Sequence, residues 1–494
     1  MIDVFNSYPS YKDSGVRWLG DVPAHWAVLR QRNAVDMRVS NVDKHIKDGE
    51  LAVRLCNYVD VYKNDRIADR ISFMCASATQ EEIDRFRLQT GDVLITKDSE
   101  TWNDIGVPAL VECSARDLIC GYHLALLRPR DGVMDGPFLL RVQQSLPVAY
   151  QYHVSASGVT RYGLSHEAIK SVCLPCPPLP EQAAIVRFLD HADRRIQRYI
   201  QAKQKLIKLL EEQKQAIIHR AVTRGLDPNV RLKPSGVEWL GDVPQHWMVA
   251  RLGQLITPIE QGWSPQCDAQ RAEENEWGVL KVGCVNRDAF DETQNKKLPS
   301  ALEPIPGLEI RDGDILMSRA NTRELLGLAA VAVRPREKLI LCDKLFRFRA
   351  KHQVVNPRFL VSAIRQRTSR AQIESSTNGA SDSMQNIGQG VARNLLLSLP
   401  PLEEQQRVVA AVSEQTASIN TAISRARSEI SLLREFRSRL VADVVTGKLD
   451  VREAAAGLPD EADEPEPLDD AASLDTGEAG DDADSDAVPE ESEP

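Results

Sequence analysis

At 494 residues the chain exceeds one ordinary domain, so two or more cores are expected. Its formal charge of −10 speaks against a polyanion partner only until it is divided: residues 451–494 hold 17 Asp or Glu and a single Arg, leaving 60 basic against 54 acidic groups in the first 450 residues, a balance of +6. No basic, apolar, cleavable leader opens the sequence, and the longest apolar run, Leu325–Val333, is about half a bilayer span, so a cytoplasmic protein without a membrane segment is expected.

In chain order, residues 1–176 read as a compact α/β (α+β) domain. Short strand-like runs at Asp92–Thr96 and Leu118–Leu127 alternate with a helix-like run at Pro137–Tyr152. The domain opens on SGVRWLGDVPAHW, Ser14–Trp26, in which two tryptophans eight apart flank a Gly-Asp turn and a proline. Both indoles are expected to pin the domain entrance to the core or to the helices. His25 reads as structural, because no acidic or cysteine partner recurs nearby in the sequence. Nine scattered cysteines argue for reduced, mostly buried thiols. Cys173 and Cys176 lack the two further ligands that a zinc site needs, and Pro175, Pro177 and Pro178 make this stretch a stiff linker.

Residues 177–228 differ in kind. From Glu181 to about Arg224 there is neither Gly nor Pro, and a seam recurs at spacings of three and four: Leu189, Ala192, Ile196, Tyr199, Lys203, Leu206, Leu210, Gln213, Ile217. This is a heptad pattern on a helix on the order of 65 Å long.

Residues 229–399 then repeat the first domain, with a helix-like run at Pro357–Ser375. SGVEWLGDVPQHW, Ser235–Trp247, matches the first motif with two differences, and His246 answers to His25. GDVLITK at Gly91 returns as GDILMSR at Gly313, Cys120 as Cys342, Phe138 as Phe359, and PPLPEQ, Pro177–Gln182, as PPLEEQ, Pro400–Gln405. Residues 400–450 carry the second helix, with a seam through Val412, Thr416, Ile419, Ile423, Ala426, Ile430, Leu433, Arg437, Leu440 and Val444. One unit of some 220 residues is therefore written twice, a period too long for a solenoid. Antiparallel pairing of the two helices within the chain buries both stripes and gives a dumbbell with an internal pseudo-two-fold duplication; Lys203, Gln213 and Arg437 would fix its register. Residues 451–494 read as an acidic disordered tail, a solubilising appendage or, as an alternative, a DNA mimic.

The paired WLGDVPxHW entrances, the closing PPLPEQ and PPLEEQ, and the GDVLITK and GDILMSR strands together resemble type I restriction-modification specificity subunits over about residues 14–450. The resemblance implies two target-recognition domains joined by two long antiparallel coiled-coil helices, each domain reading one half of a bipartite, asymmetric site in double-stranded DNA. It implies that the helices set the gap between the halves and dock two modification (methyltransferase) subunits, with motor-nuclease restriction subunits joining them. S-adenosylmethionine, ATP and Mg²⁺ would belong to those partners, whose complex methylates adenine and cleaves DNA. No glycine-rich cofactor loop, Asn-Pro-Pro motif or GxxxxGK phosphate loop occurs here, so this chain is expected to be non-catalytic and to hold no cofactor.

Base readers belong in polar loops after equivalent strands. Lys97, Asp98, Ser99 and Thr101 follow GDVLIT, and Arg319, Asn321, Thr322 and Arg323 follow GDILMS. A second loop precedes each closing proline motif: Ser157, Thr160, Arg161 and Tyr162 in the first repeat, Ser381, Asp382, Gln385 and Asn386 in the second. The competing reading is a coiled-coil scaffold with protein-binding ends. Repeats that match at their entrances and diverge inside favour two different half-sites instead.

Overall fold

The computed structural model describes residues 6–267, 270–376 and 385–459. They fall into two compact units, Met1–Gln204 with Ser428–Pro494, and Lys205–Arg427. Each long helix, Leu179–Arg224 and Leu402–Val445, contributes one part to each unit.

In the first unit a five-stranded sheet runs in the order Val35–Val39, Leu124–Pro129, Val93–Thr96, Pro108–Val111, Arg66–Ile67. A three-stranded sheet sets Leu51–Cys56 between Leu118–Cys120, its parallel neighbour, and Met74–Ala78. The second unit keeps a shorter version: Glu260–Gln261, Leu345–Phe348, Ile315–Ser318, Ala329–Val331, beside Asn295–Lys297, Gly278–Leu280, Leu339–Ile340. Val93–Thr96 and Ile315–Ser318 are buried at every position, which is why both read as unbroken apolar runs.

The repeated Gly-Asp before these strands has a local cause. Gly91 and Gly313 take φ of 92° and 82°, a region open to glycine. Asp92 and Asp314 close the turn by accepting a backbone N–H three residues back, both at 2.8 Å, and each holds an arginine, Arg128 in the neighbouring strand or Arg349 just past its end.

Several expected elements are divided. Leu118–Leu127 is two strands in different sheets, broken at Gly121–His123. Pro137–Tyr152 is two helices, Gly136–Gln143 and Leu146–His153, and Pro357–Ser375 likewise forms Pro357–Ile364 and Arg367–Glu374. Cys173–Cys176 is no linker: it pairs with Ala27–Arg30, Pro175 opposite Val28. Residues 451–459 do not belong to the tail, since Arg452–Ala456 is a helix and Val451 and Ala455 are buried in the first core. Residues 460–494 lie outside the described residues.

The entrance motifs and the closing PPLPEQ and PPLEEQ motifs meet. Trp26 is fully buried, and its indole Nε1–H donates to Glu181 at 3.0 Å, while His25 Nε2 lies 2.9 Å from the same carboxylate. Trp247 and His246 hold Glu404 at 3.1 and 2.7 Å. The acidic partner that the sequence did not reveal for His25 and His246 is therefore present in both units, in the first turn of each long helix. The adjoining glutamines, Gln182 and Gln405, are fully buried and clamp backbone on both sides, accepting from Asp135 and Asn356 and donating to the carbonyls of Val133 and Pro177, or Val354 and Pro400. The first tryptophan of each motif is not a pin: Trp18 and Trp239 are 38% and 45% exposed, and Arg17 lies over the Trp18 ring.

Within each unit the helices run antiparallel. In the first, Asp193 pairs with Arg437 at 2.8 Å and Lys203 with Glu429 at 2.7 Å; in the second, Glu211 pairs with Arg427 at 2.8 Å. The expected second seam holds at Ile419, Ile423, Ala426, Ile430 and Leu440, with Leu433 half-buried. The first seam holds at Leu189, Ala192, Ile196, Lys203, Leu210 and Ile217, but after Ile196 the companions lie four residues on, at Ile200, Ile207 and Lys214, rather than three. Tyr199, Leu206 and Gln213 are exposed. At 100° per residue a step of four ends about 40° from the starting side chain and a step of three about 60° short. Tyr199-Ile200 and Leu206-Ile207 offer an apolar residue at either step, so only packing chooses between them. Both long helices end on a glycine at φ 75°, Gly225 and Gly447, the left-handed cap that stops them.

Candidate nucleic-acid interface

The two loops expected to read bases in each repeat are joined by the fold into one ladder. In the first unit Asp98–Ser99 pairs antiparallel with Tyr162–Gly163, Ser99 opposite Tyr162. In the second, Ala320–Asn321 pairs with Gln385–Asn386, Asn321 opposite Gln385. One further backbone bond seals each ladder, from Leu164 N–H to the Lys97 carbonyl at 2.8 Å and from Ile387 N–H to that of Arg319 at 2.9 Å. The same edge is thus built twice and carries different side chains.

In the first unit Ser157 and Gly163 exchange backbone bonds of 3.1 and 2.9 Å, forming a small hairpin that holds Thr160 and Arg161 exposed at its tip. Thr101 is exposed as well. Lys97 is not a free cation: Nζ lies 3.0 Å from Asp98, which also meets His123 Nδ1 at 2.8 Å. Burial opposes ionisation of Asp98, but the His123 and Lys97 contacts outweigh it and hold the carboxyl below its ordinary range. Ser99, 4% exposed, faces inward beside Tyr58 and accepts from the Thr101 N–H at 3.3 Å. It supports the ladder and is too buried to present a base contact.

In the second unit Arg319 packs over the Phe346 ring at 5.8 Å and donates to the Asp343 carbonyl at 3.3 Å. Asn321 is half-buried and Asn386 exposed. Gln385 is 8% exposed, with a buried Oε1 that finds no hydrogen-bond donor, so it too faces inward rather than outward. Arg323 stands off the ladder; its carbonyl is held by Arg370 at 2.7 Å and its guanidinium lies 4.0 Å from Glu374. Ser381 and Asp382 lie outside the described residues.

Two turns at the same edge escaped the sequence reading. Lys97 N–H donates to the His123 carbonyl at 3.0 Å, which places Tyr122, 37% exposed, beside the ladder; Arg319 N–H donates to the Lys344 carbonyl at 2.9 Å in the same way. Cys120 and Cys342, which recur in sequence, are the only signal that could have pointed there. Among the described residues no group of three or more His, Cys, Asp or Glu side chains could hold a metal ion, and no helix is long and apolar enough to cross a membrane.

Residues 59–209 match the type I restriction modification DNA specificity domain. The chain is 29% identical over 211 residues to the type I restriction enzyme EcoEI specificity subunit of Escherichia coli, an overlap of 42% of this chain and 35% of that one. It is 23% identical to the putative MjaX specificity subunit of Methanocaldococcus jannaschii over 454 residues, 88% of this chain and 96% of the relative. Over most of its length the chain is similar to type I restriction-modification specificity subunits. The fold agrees: a chain solved in a structural study of complex assembly and conformational transition in the type I R-M system superposes with a TM-score of 0.56 at 18% identity, covering 87% of this chain and 99% of that one. The relatives it matches are specificity subunits, and the protein-binding scaffold reading is not favoured.

Proposed function

We propose that this specificity subunit reads a bipartite, asymmetric site in double-stranded DNA, one half with the ladder of each unit. The observation that carries this reading is the duplicated edge: one backbone frame, built twice, bearing Tyr162, Thr160 and Arg161 in one unit and Arg319, Asn321 and Asn386 in the other. Divergent side chains on a conserved frame suit two different half-sites. The two continuous helices set the gap between halves and dock two modification subunits, with motor-nuclease subunits completing the complex in the cytoplasm. S-adenosylmethionine, ATP and Mg²⁺ act in those partners, which methylate adenine and cleave DNA; this chain selects where.

The direct test is single-molecule methylome sequencing of a host with and without this gene, its modification gene kept. A methylated bipartite motif that vanishes on deletion is the expected result and gives both half-sites at once. An unchanged methylome beside an active modification subunit would overturn the reading in favour of a scaffold.

A further inference from the structure

A third segment reaches the same edge in each unit. In the first, strand Leu51–Cys56 ends at Asn57, whose side chain accepts from the backbone N–H of Val59 and Asp60 while Asp60 accepts from Asn57 N–H at 2.9 Å. This reciprocal cap fixes the start of helix Tyr58–Lys63. The helix lies at the ladder end of the sheet, because Gly121 N–H, leaving the parallel strand next door, donates to the Cys56 carbonyl at 2.8 Å. Tyr62 OH donates to Asp104 at 2.8 Å, in the loop that follows the ladder strand, and that bond pushes the phenol up to about 12, so it stays a donor. Tyr58 stacks on Tyr62 with centroids 5.5 Å apart and lies beside Ser99 on the ladder itself. Both tyrosines are thus occupied in fastening the helix, and Val59 is left 51% exposed.

The second unit repeats the placement with other residues. Strand Gly278–Leu280 leads into a 3-10 turn, Val282–Val285, and Asn321 of the ladder donates its side-chain N–H to Asn286 Oδ1 at 3.3 Å. Arg365, largely buried, donates to the Val285 carbonyl at 3.1 Å and to that of Ala329 at 3.0 Å, fixing the turn against the sheet. The next side chain, Arg287, is 78% exposed, 3.9 Å from Asp291.

We infer that Val59 and Arg287 are specificity-determining residues, each the outward reader of a third recognition segment in its unit. The inference rests on the DNA-reading function proposed above. In the major groove an exposed apolar side chain suits the thymine C5-methyl group, and an exposed guanidinium suits the paired acceptors O6 and N7 of guanine. Val59 therefore reads a thymine in one half-site and Arg287 a guanine in the other.

The test uses the full chain with its modification subunit and a pool of duplexes randomised at the half-sites, selected by binding and sequenced. For Val59→Ala, the expected result is an about fourfold loss of preference for thymine over the other bases at one position of one half-site. For Arg287→Ala, an about tenfold loss of preference for guanine is expected at one position of the other half-site only. Both side chains are exposed, so an unchanged melting temperature is the control for folding. A uniform weakening across all sequences with a shallower salt dependence would make these phosphate contacts and overturn the inference. Unaltered preferences would overturn it equally. If wild type itself selects no bipartite motif, the underlying DNA-reading function fails, an outcome distinct from either.

Discussion

Asp193 shows how a single side chain ties a reader to the helices. Its carboxylate accepts from Arg141 at 2.6 Å and from Arg437 at 2.8 and 3.1 Å, and Arg141 is only 5% exposed, so two helices and the reader share one charge. Burial alone would raise this carboxyl; the bonds from Arg437 and Arg141 outweigh it and hold it below the ordinary range. A depressed folded-state pKa contributes stability that is present above the unfolded value of about 3.9 and lost as pH falls through the folded one. Asp193→Asn is therefore expected to cost about 3 kcal/mol at neutral pH, read from the denaturation midpoint, with the gap to wild type closing below about pH 4. A gap that stayed constant with pH would mean that the charge is not what Asp193 contributes. Residues of this kind were legible only as types. Glu181 and its partner His25 stand 156 positions apart, and sequence proximity could not pair them.

For the elements, repetition in the sequence announced the duplicated strands, the two long helices and the two loops of each ladder. It did not announce that the loops of a repeat pair with one another, because two-residue strands carry no periodicity to detect. The third segment was missed for a related reason: the YVDVYK of Tyr58–Lys63 and the VGCV of Val282–Val285 share a place in the fold and no residue pattern. The seam of the first helix was half legible, fixed at its seven-residue positions and undecided where apolar residues stand side by side. That distinction is measurable. Ile200→Ala, at 5% exposure, is expected to destabilise the first unit by about 2 to 4 kcal/mol. Leu206→Ala, at 41% exposure, should cost less than about 1 kcal/mol. Equal losses in chemical denaturation would restore the seam that the sequence suggested.

For the molecule as a whole, the long helices are, among the described residues, the only secondary-structure elements that run through both units. If they set the half-site gap, deleting four residues near Leu206 shortens one helix by about 6 Å and is expected to alter the gap tolerated between half-sites, as read from binding to duplexes of graded spacer length. An unchanged gap preference would count against that role. The division of the units also fixes a timetable. Leu440, Val441, Val444, Val445, Val451 and Ala455 belong to the same apolar cluster as Trp26 and Phe138, and Gly447 sits against Pro23 so closely that a Cβ there would lie 2.3 Å from the proline ring. The second unit is one continuous stretch of chain, whereas the first needs residues made more than 400 positions apart. On the ribosome, then, the reader synthesised first is the one that finishes last: its core stays open until residues 440–455 have emerged, and the second reader is free to fold while the first still waits.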